Sequence, residues 1–168
     1  GANALAAVGA CSSIGFLFFS LSSGLALGIG IIVSQYFGAG EEKNVRTTIA
    51  NSIYVLSSAI IVVSTIAIVF APAILRILRT PDEIIKDSII YLRITGGGMI
   101  FITLYNGISA ILRALGDSKT PLYFLVISSI INIILDLLFV VRFGWGVAGV
   151  AVATVIAQAL SAILCLIY

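Results

Sequence analysis

Five long apolar runs constrain the fold of this chain more than any other feature of its sequence. They lie near residues 12–35, 49–70, 89–112, 122–141 and 147–168. A helix needs about 20 apolar residues to cross the ~30 Å hydrocarbon layer of a bilayer, and each run is long enough. Because a spanning helix also satisfies its own backbone hydrogen bonds, we predict an all-α fold, a polytopic transmembrane bundle of about five helices.

The composition also indicates a membrane protein. Hydrophobic residues make up 61% of the 168 residues, and charged residues only 10%, against about 25% in soluble domains. The charges gather between the apolar runs, where water-facing loops are expected. No basic cluster is dense enough to bind nucleic acid. The predicted partner of the apolar surface is the lipid bilayer.

Turn and capping residues indicate where the third span begins. The order Thr80, Pro81, Glu83 is typical of a capping box, with Thr80 as N-cap, Pro81 at the first helical position and Glu83 at the third. We therefore predict an unbroken helix from about residue 81 to residue 115.

Two signals lie on either side of that helix. Gly116 is predicted to end it, and Pro121 to begin the next one. Before it, residues 72–78 alternate apolar side chains with Arg76. That stretch is too short to cross the membrane, and we predict that it lies along the interface.

One acidic residue lies well inside an apolar run. Asp136 has Asn132 four residues before it, so both side chains lie on one helix face, one turn apart. A carboxylate beside an amide oxygen can hold a proton or a small hard cation such as sodium. The alternative is structural, because Arg142 lies only about 9 Å further along the helix and could pair with Asp136 near the membrane surface.

Enzyme chemistry finds little support in these residues. Histidine is absent, which removes the most common general base and the most common zinc ligand. A second intramembrane acid for an aspartyl dyad is also missing. Cys11 and Cys165 lie in apolar runs without partners at metal-ligand spacing, and we interpret them as packing residues. We predict neither an enzyme nor a bound cofactor.

Several stretches, taken in their order and spacing, resemble the multidrug and toxic compound extrusion (MATE) family. The resemblance covers the whole chain, and its segments are 3–9, 32–40, 91–94, 112–122, 132–136 and 144–154. The two longest are Leu112-Arg-Ala-Leu-Gly-Asp-Ser-Lys-Thr-Pro-Leu122 and Gly144-Trp-Gly-Val-Ala-Gly-Val-Ala-Val-Ala-Thr154; each segment alone is loose, and their order and spacing are specific.

The resemblance implies an architecture. Family members are twelve-helix transporters of two six-helix lobes, so residues 1–168 would be a partial amino-terminal lobe, helices two to six. The first helix and the carboxy-terminal lobe would be further parts of the same protein. The expected location is the plasma membrane, multi-pass, as in a bacterial inner membrane, with loops 41–46 and 113–119 cytoplasmic.

The resemblance also implies a function. It is secondary active efflux of organic cations, drugs or other amphipathic compounds in exchange for protons or sodium ions. Asn132 and Asp136 match a cation-binding pair on the family's fifth helix, and Thr154 and Tyr91 are weaker matches to further ligands. The alternatives are a flippase for lipid-linked sugars, which should carry mid-span basic residues that are missing here, and a non-transporting membrane scaffold protein.

Overall fold

The chain folds as a helical bundle with no strand in residues 2–168. A computed structural model describes the backbone of those residues and the side chains of residues 5–168, so the first side chains of segment 3–9 lie outside the described residues. The helices are α1 (Ala2–Gly38), α2 (Glu42–Val69), α3 (Ala71–Ile77), α4 (Asp82–Ala114), α5 (Lys119–Asp136) and α6 (Gly146–Ile167). A π-helical segment, Leu137–Arg142, continues α5. Five helices in the described part are long and apolar enough to cross a membrane, which confirms the predicted fold class.

Helix α4 occupies the centre of the bundle. It packs against α1, α2, α3 and α6, whereas α5 packs mainly on α6. Glycines make this close approach possible, because a Cβ at Gly96 would collide with Ala67 of α2 and one at Gly98 with Val155 of α6. Membrane helices associate through such small residues, since lipid offers no hydrophobic driving force between them.

Helix α6 carries a row of small residues of its own. Gly149, Ala153 and Ala157 recur every four residues and are all buried. Such small residues allow close packing, and a Cβ at Gly149 would press against Phe139 and Trp145.

Polar contacts between helices supplement this packing. The buried hydroxyl of Ser22 in α1 donates to the Thr103 hydroxyl of α4 at 3.0 Å. The phenol of Tyr105 in α4 donates to the backbone carbonyl of Pro121 in α5, also at 3.0 Å. Each bond satisfies a group that would otherwise lie unpaired in a medium of low dielectric.

The capping box predicted for α4 is wrong. The helix begins at Asp82, and Pro81 rather than Thr80 occupies the N-cap without a side-chain capping bond. The reason lies in the proline backbone, whose ψ of 141° is extended rather than helical and places the first helical residue one position later. The unbroken third span is confirmed, because α4 runs to Ala114 without interruption.

The start of α5 also differs from the prediction. The helix begins at Lys119, two residues before Pro121. The carboxylate of Asp117 accepts hydrogen bonds from the backbone N–H groups of Lys119 at 3.1 Å and Thr120 at 3.0 Å. These bonds form the first turn before the proline, which fits the first turn because it needs no intrahelical donor there.

The loops alternate between the two ends of the bundle. At one end, the α1–α2 turn at Gly40 borders the same surface cavity as Leu115, at the end of α4. At the other end, Ala7, Ile84 and Val147 pack together, which brings the starts of α1, α4 and α6 into contact. The connections before α4 and before α6 therefore share one end.

Candidate functional site

A cavity of about 310 Å³ with a mostly apolar wall opens between α1, α4, α5 and α6. Apart from apolar side chains, its wall carries amides and hydroxyls, and none of the described residues that line it is charged. The polar lining residues are Tyr105, Asn106, Ser128, Ser129, Asn132, Thr154, Gln158 and Ser161. Such a wall can bind an amphipathic molecule through apolar contacts and a few hydrogen bonds.

A second cavity of about 240 Å³ adjoins the first. Tyr91 of α4 lines it, and Thr154 and Gln158 of α6 border both cavities. Three of the four residues predicted from the sequence therefore line these adjoining cavities. Asn132 lines the first, Tyr91 the second and Thr154 both. Asp136 borders neither cavity.

Asn132 and Asp136 both carry buried polar atoms without a partner. The side-chain nitrogen of Asn132 and Oδ1 of Asp136 have no hydrogen-bond partner within the described residues. Arg142, the alternative partner that the sequence offered, is exposed. A buried polar atom without a partner is costly, and here two of them lie one turn apart on the same helix.

The helix changes its geometry directly after Asp136. Residues 137–142 form a π-helical segment, and the N–H of Phe143 bonds to the carbonyl of Leu138, five residues back, at 3.1 Å. Wide turns of this kind occur often at functional sites. The sequence holds no glycine or proline there that could have indicated it.

The oxygen groups predicted for the ion site are of a kind that suits a hard cation. The Thr154 hydroxyl donates to the carbonyl of Val150 at 2.9 Å, which leaves its oxygen lone pairs to accept. A carboxylate, an amide oxygen and hydroxyl oxygens favour a proton or an alkali cation over soft metals, which prefer thiolate or imidazole.

Sequence reasoning gave less weight to other residues of the wall. Two further amide side chains, Asn106 and Gln158, line the first cavity. Ser128 and Ser129 had no assigned place. Ser128 precedes Asn132 by one helical turn, and that spacing is the signal that could have placed it on the same face.

Comparisons with known sequences agree on one family. A family model described as MatE matches residues 1–138. The chain is 34% identical over 172 residues to the probable multidrug resistance protein YoeA of Bacillus subtilis (strain 168), with 100% of this chain and 37% of that protein covered. It is also 34% identical over 168 residues to the probable multidrug resistance protein YpnP of the same organism, with 100% and 38% covered.

A solved structure shows the same fold. It is described as the inward-facing conformation of a multidrug resistance MATE family transporter of the MOP superfamily. The TM-score is 0.95 at 24% identity, and the match covers 99% of this chain and 38% of that one. The chain thus spans well under half the length of these relatives.

Proposed function

Because this chain belongs to the MATE family, we propose that it is part of a secondary active efflux transporter. Such a protein exports organic cations, drugs or other amphipathic compounds in exchange for protons or sodium ions. The family consists of transporters rather than enzymes, and this member is a multi-pass protein of the plasma membrane. Because the chain covers only 37% of its relative YoeA, the activity of the whole transporter is our proposal.

The pair of unpartnered polar groups on α5 is the observation that carries the proposal. Asp136 supplies a carboxylate and Asn132 an amide, one turn apart and both with buried atoms that lack partners. An ionisable residue inside a membrane is costly and is retained where it serves ion or proton movement. We assign the coupling ion to Asp136, with Asn132 as its nearest partner and Thr154 and Tyr91 as lesser ligands.

The two adjoining cavities suggest how ion and substrate could influence each other. Asn132, the proposed partner of Asp136, lines the larger cavity, and Thr154 lines both cavities, so a change at the ion site would act on the wall of the larger space. An ion gradient supplies about 2.3 kcal/mol per 100 mV for each charge that crosses. That energy drives export only if the ion and the substrate compete for linked conformations of the protein.

The cavity chemistry argues against the flippase alternative. Recognition of a pyrophosphate needs several Lys or Arg side chains, and the described wall of the larger cavity has none. A scaffold protein, the second alternative, would gain nothing from an acidic residue in an apolar span whose buried Oδ1 lacks a partner.

Transport by the full-length protein in liposomes tests the proposal. Substrate movement is measured with a proton gradient alone, with a sodium gradient alone and with neither. We expect uphill transport with one of the two gradients and none without. Equal substrate movement under all three conditions would exclude ion-coupled export.

Substitution of Asp136 tests the assigned ion site. Asp136→Asn keeps the size of the side chain and removes its charge, so we expect a protein that reaches the membrane but loses uphill export. Asn132→Ala leaves the carboxylate in place and should reduce coupled transport only about tenfold, equivalent to ~1.4 kcal/mol of ion binding. Asp82→Asn, at the exposed start of α4, is the matched control. Uphill export by Asp136→Asn at the unmodified rate would favour the structural interpretation.

A further inference from the structure

We propose that residues 70–79 bind the phosphate of an anionic phospholipid headgroup and thereby fix the connection between α2 and α4 to the membrane surface. We refer to these residues, which comprise α3 and its flanks, as the α3 anchor. The inference concerns lipid contacts at one end of the bundle and does not depend on the transported substrate or the coupling ion.

The α3 anchor has one face in the bundle and one face outside it. Ala71 and Leu75 are fully buried, and Leu75 packs in the core formed with α1, α2 and α4. Ile77 and Leu78 point away, with 80% and 51% of their surface exposed. In a chain that spans the membrane, apolar side chains exposed beside a short surface helix suit the acyl region just below the headgroups.

Two arginines lie next to these apolar side chains. Arg76 and Arg79 are three residues apart at the end of α3, and both are exposed. A guanidinium can donate two parallel hydrogen bonds to one phosphate, which gives Arg an advantage over Lys at such a site. The apolar pair and the basic pair together match a lipid, which presents acyl chains and phosphate at adjacent depths.

The backbone at Arg79 adds an independent observation. Its φ of +53° is the one positive value at a non-glycine position among the described residues. The N–H of Thr80 bonds to the Leu75 carbonyl and that of Arg79 to the Arg76 carbonyl, both at 3.0 Å, which is the Schellman pattern of a helix end. Glycine usually occupies that position because it has no Cβ. Arg79 therefore occupies a position whose backbone conformation is unfavourable for a residue with a Cβ. A role for its side chain would explain why an arginine stands there.

An aromatic cluster locates the membrane surface at the same end. Trp145, half-exposed in the connection before α6, stacks on Phe139 with ring centroids 5.0 Å apart. Tryptophan concentrates at membrane interfaces, and the packing of Ile84 near Val147 shows that the connections before α4 and α6 share one end. The arginines of the α3 anchor thus lie at an end that carries an interfacial tryptophan.

The acidic residues at the start of α4 offer a competing explanation for the two arginines, namely charge balance. Asp82 and Glu83 begin α4 and are exposed, as is Glu41 at the opposite end. If the arginines served only to balance the acids at the start of α4, their removal would leave lipid contacts at the anchor unchanged.

Photo-crosslinking in vesicles of phosphatidylcholine and phosphatidylglycerol tests the proposal on the full-length transporter. Each lipid in turn carries a photoreactive group near its phosphate, and the labelled peptides are identified by mass spectrometry. We expect several-fold more crosslinks from phosphatidylglycerol than from phosphatidylcholine within residues 70–79. Arg76→Gln with Arg79→Gln should abolish that excess, while crosslinks near residues 41–46, at the other end, stay unchanged as the internal control.

Two further arms separate the remaining explanations. Arg79→Gly suits the backbone and removes one guanidinium, so it should lower the phosphatidylglycerol excess without lowering the melting temperature. Millimolar inorganic phosphate should not displace the lipid, because it lacks the acyl contacts. Equal labelling by both lipids, an excess that survives in the double variant, or displacement by free phosphate would each overturn the proposal.

Discussion

At the scale of single residues, Asp117 shows how one side chain outside the membrane determines where a helix begins. The backbone N–H of Thr120, then its hydroxyl, hold the pKa of this carboxyl below its ordinary value of 3.8. Because the folded pKa is depressed, the stabilisation is fully present above the unfolded pKa and is lost as pH falls through the folded value.

Substitution and pH together test that role. Asp117→Ala should lower the melting temperature of the full-length protein at neutral pH. The difference from the unmodified protein should shrink below about pH 4, where the carboxylate becomes protonated. Asp117→Asn keeps an acceptor and should fall between the two with little dependence on pH. A gap that stays constant into the acidic range would show that the carboxylate charge contributes nothing to the cap.

The four predicted site residues illustrate what one sequence can and cannot provide. Asp136 and Asn132 stand out because an acid and an amide one turn apart are unusual in an apolar run. Thr154 and Tyr91 entered only through the family resemblance. The structure brings Thr154 to both cavities, a proximity between helices that the spacing within one helix could not predict. Their part in ion binding stays a prediction.

At the scale of helices, the glycines of α4 decide how closely its neighbours approach. Gly98→Ala would place a Cβ against the Val155 side chain, and overpacking of this kind costs about 1–3 kcal/mol. We expect a lower melting temperature for the full-length protein in detergent. Val155→Ala should restore much of the loss in the double variant, because it removes the colliding methyl groups.

The adjacent residue provides the control for that experiment. A Cβ at Gly97 would meet only the end of the Ile68 side chain, at an ordinary 3.9 Å. Gly97→Ala should therefore be neutral or stabilising by up to ~1 kcal/mol, the usual helix preference of alanine over glycine. Equal destabilisation by the two alanines would mean that contact with Val155 is not the cause.

Helices were easier to predict than their ends. Apolar length identified all five spans, because the bilayer leaves few other solutions. The starts of α4 and α5 were misplaced by one or two residues, since the extended backbone of Pro81 and the hydrogen bonds that the Asp117 carboxylate accepts determine them. The π-helical segment after Asp136 had no local signal, so tertiary packing is the remaining determinant.

At the scale of the whole molecule, the helices of this lobe form the wall of the cavities on one side, and the opposite side has no wall from this lobe. In transporters, binding sites lie between repeats, and access alternates as one bundle moves against the other. We expect that residues 1–168 alone, reconstituted in vesicles, show no substrate transport above protein-free vesicles. The full-length protein, reconstituted in parallel, is the positive control. Measurable transport by the 168-residue chain would mean that one lobe provides a complete pathway.

The central position of α4 has a consequence for biosynthesis. Helices α1 and α2 leave the ribosome before α4, yet each of them packs extensively against it. At about 5–20 residues per second, α1 and α2 remain in the lipid for seconds before α4, against which both pack, is inserted. Slow codons between α2 and α4 would lengthen this interval and give membrane proteases more time to cleave the unassembled pair.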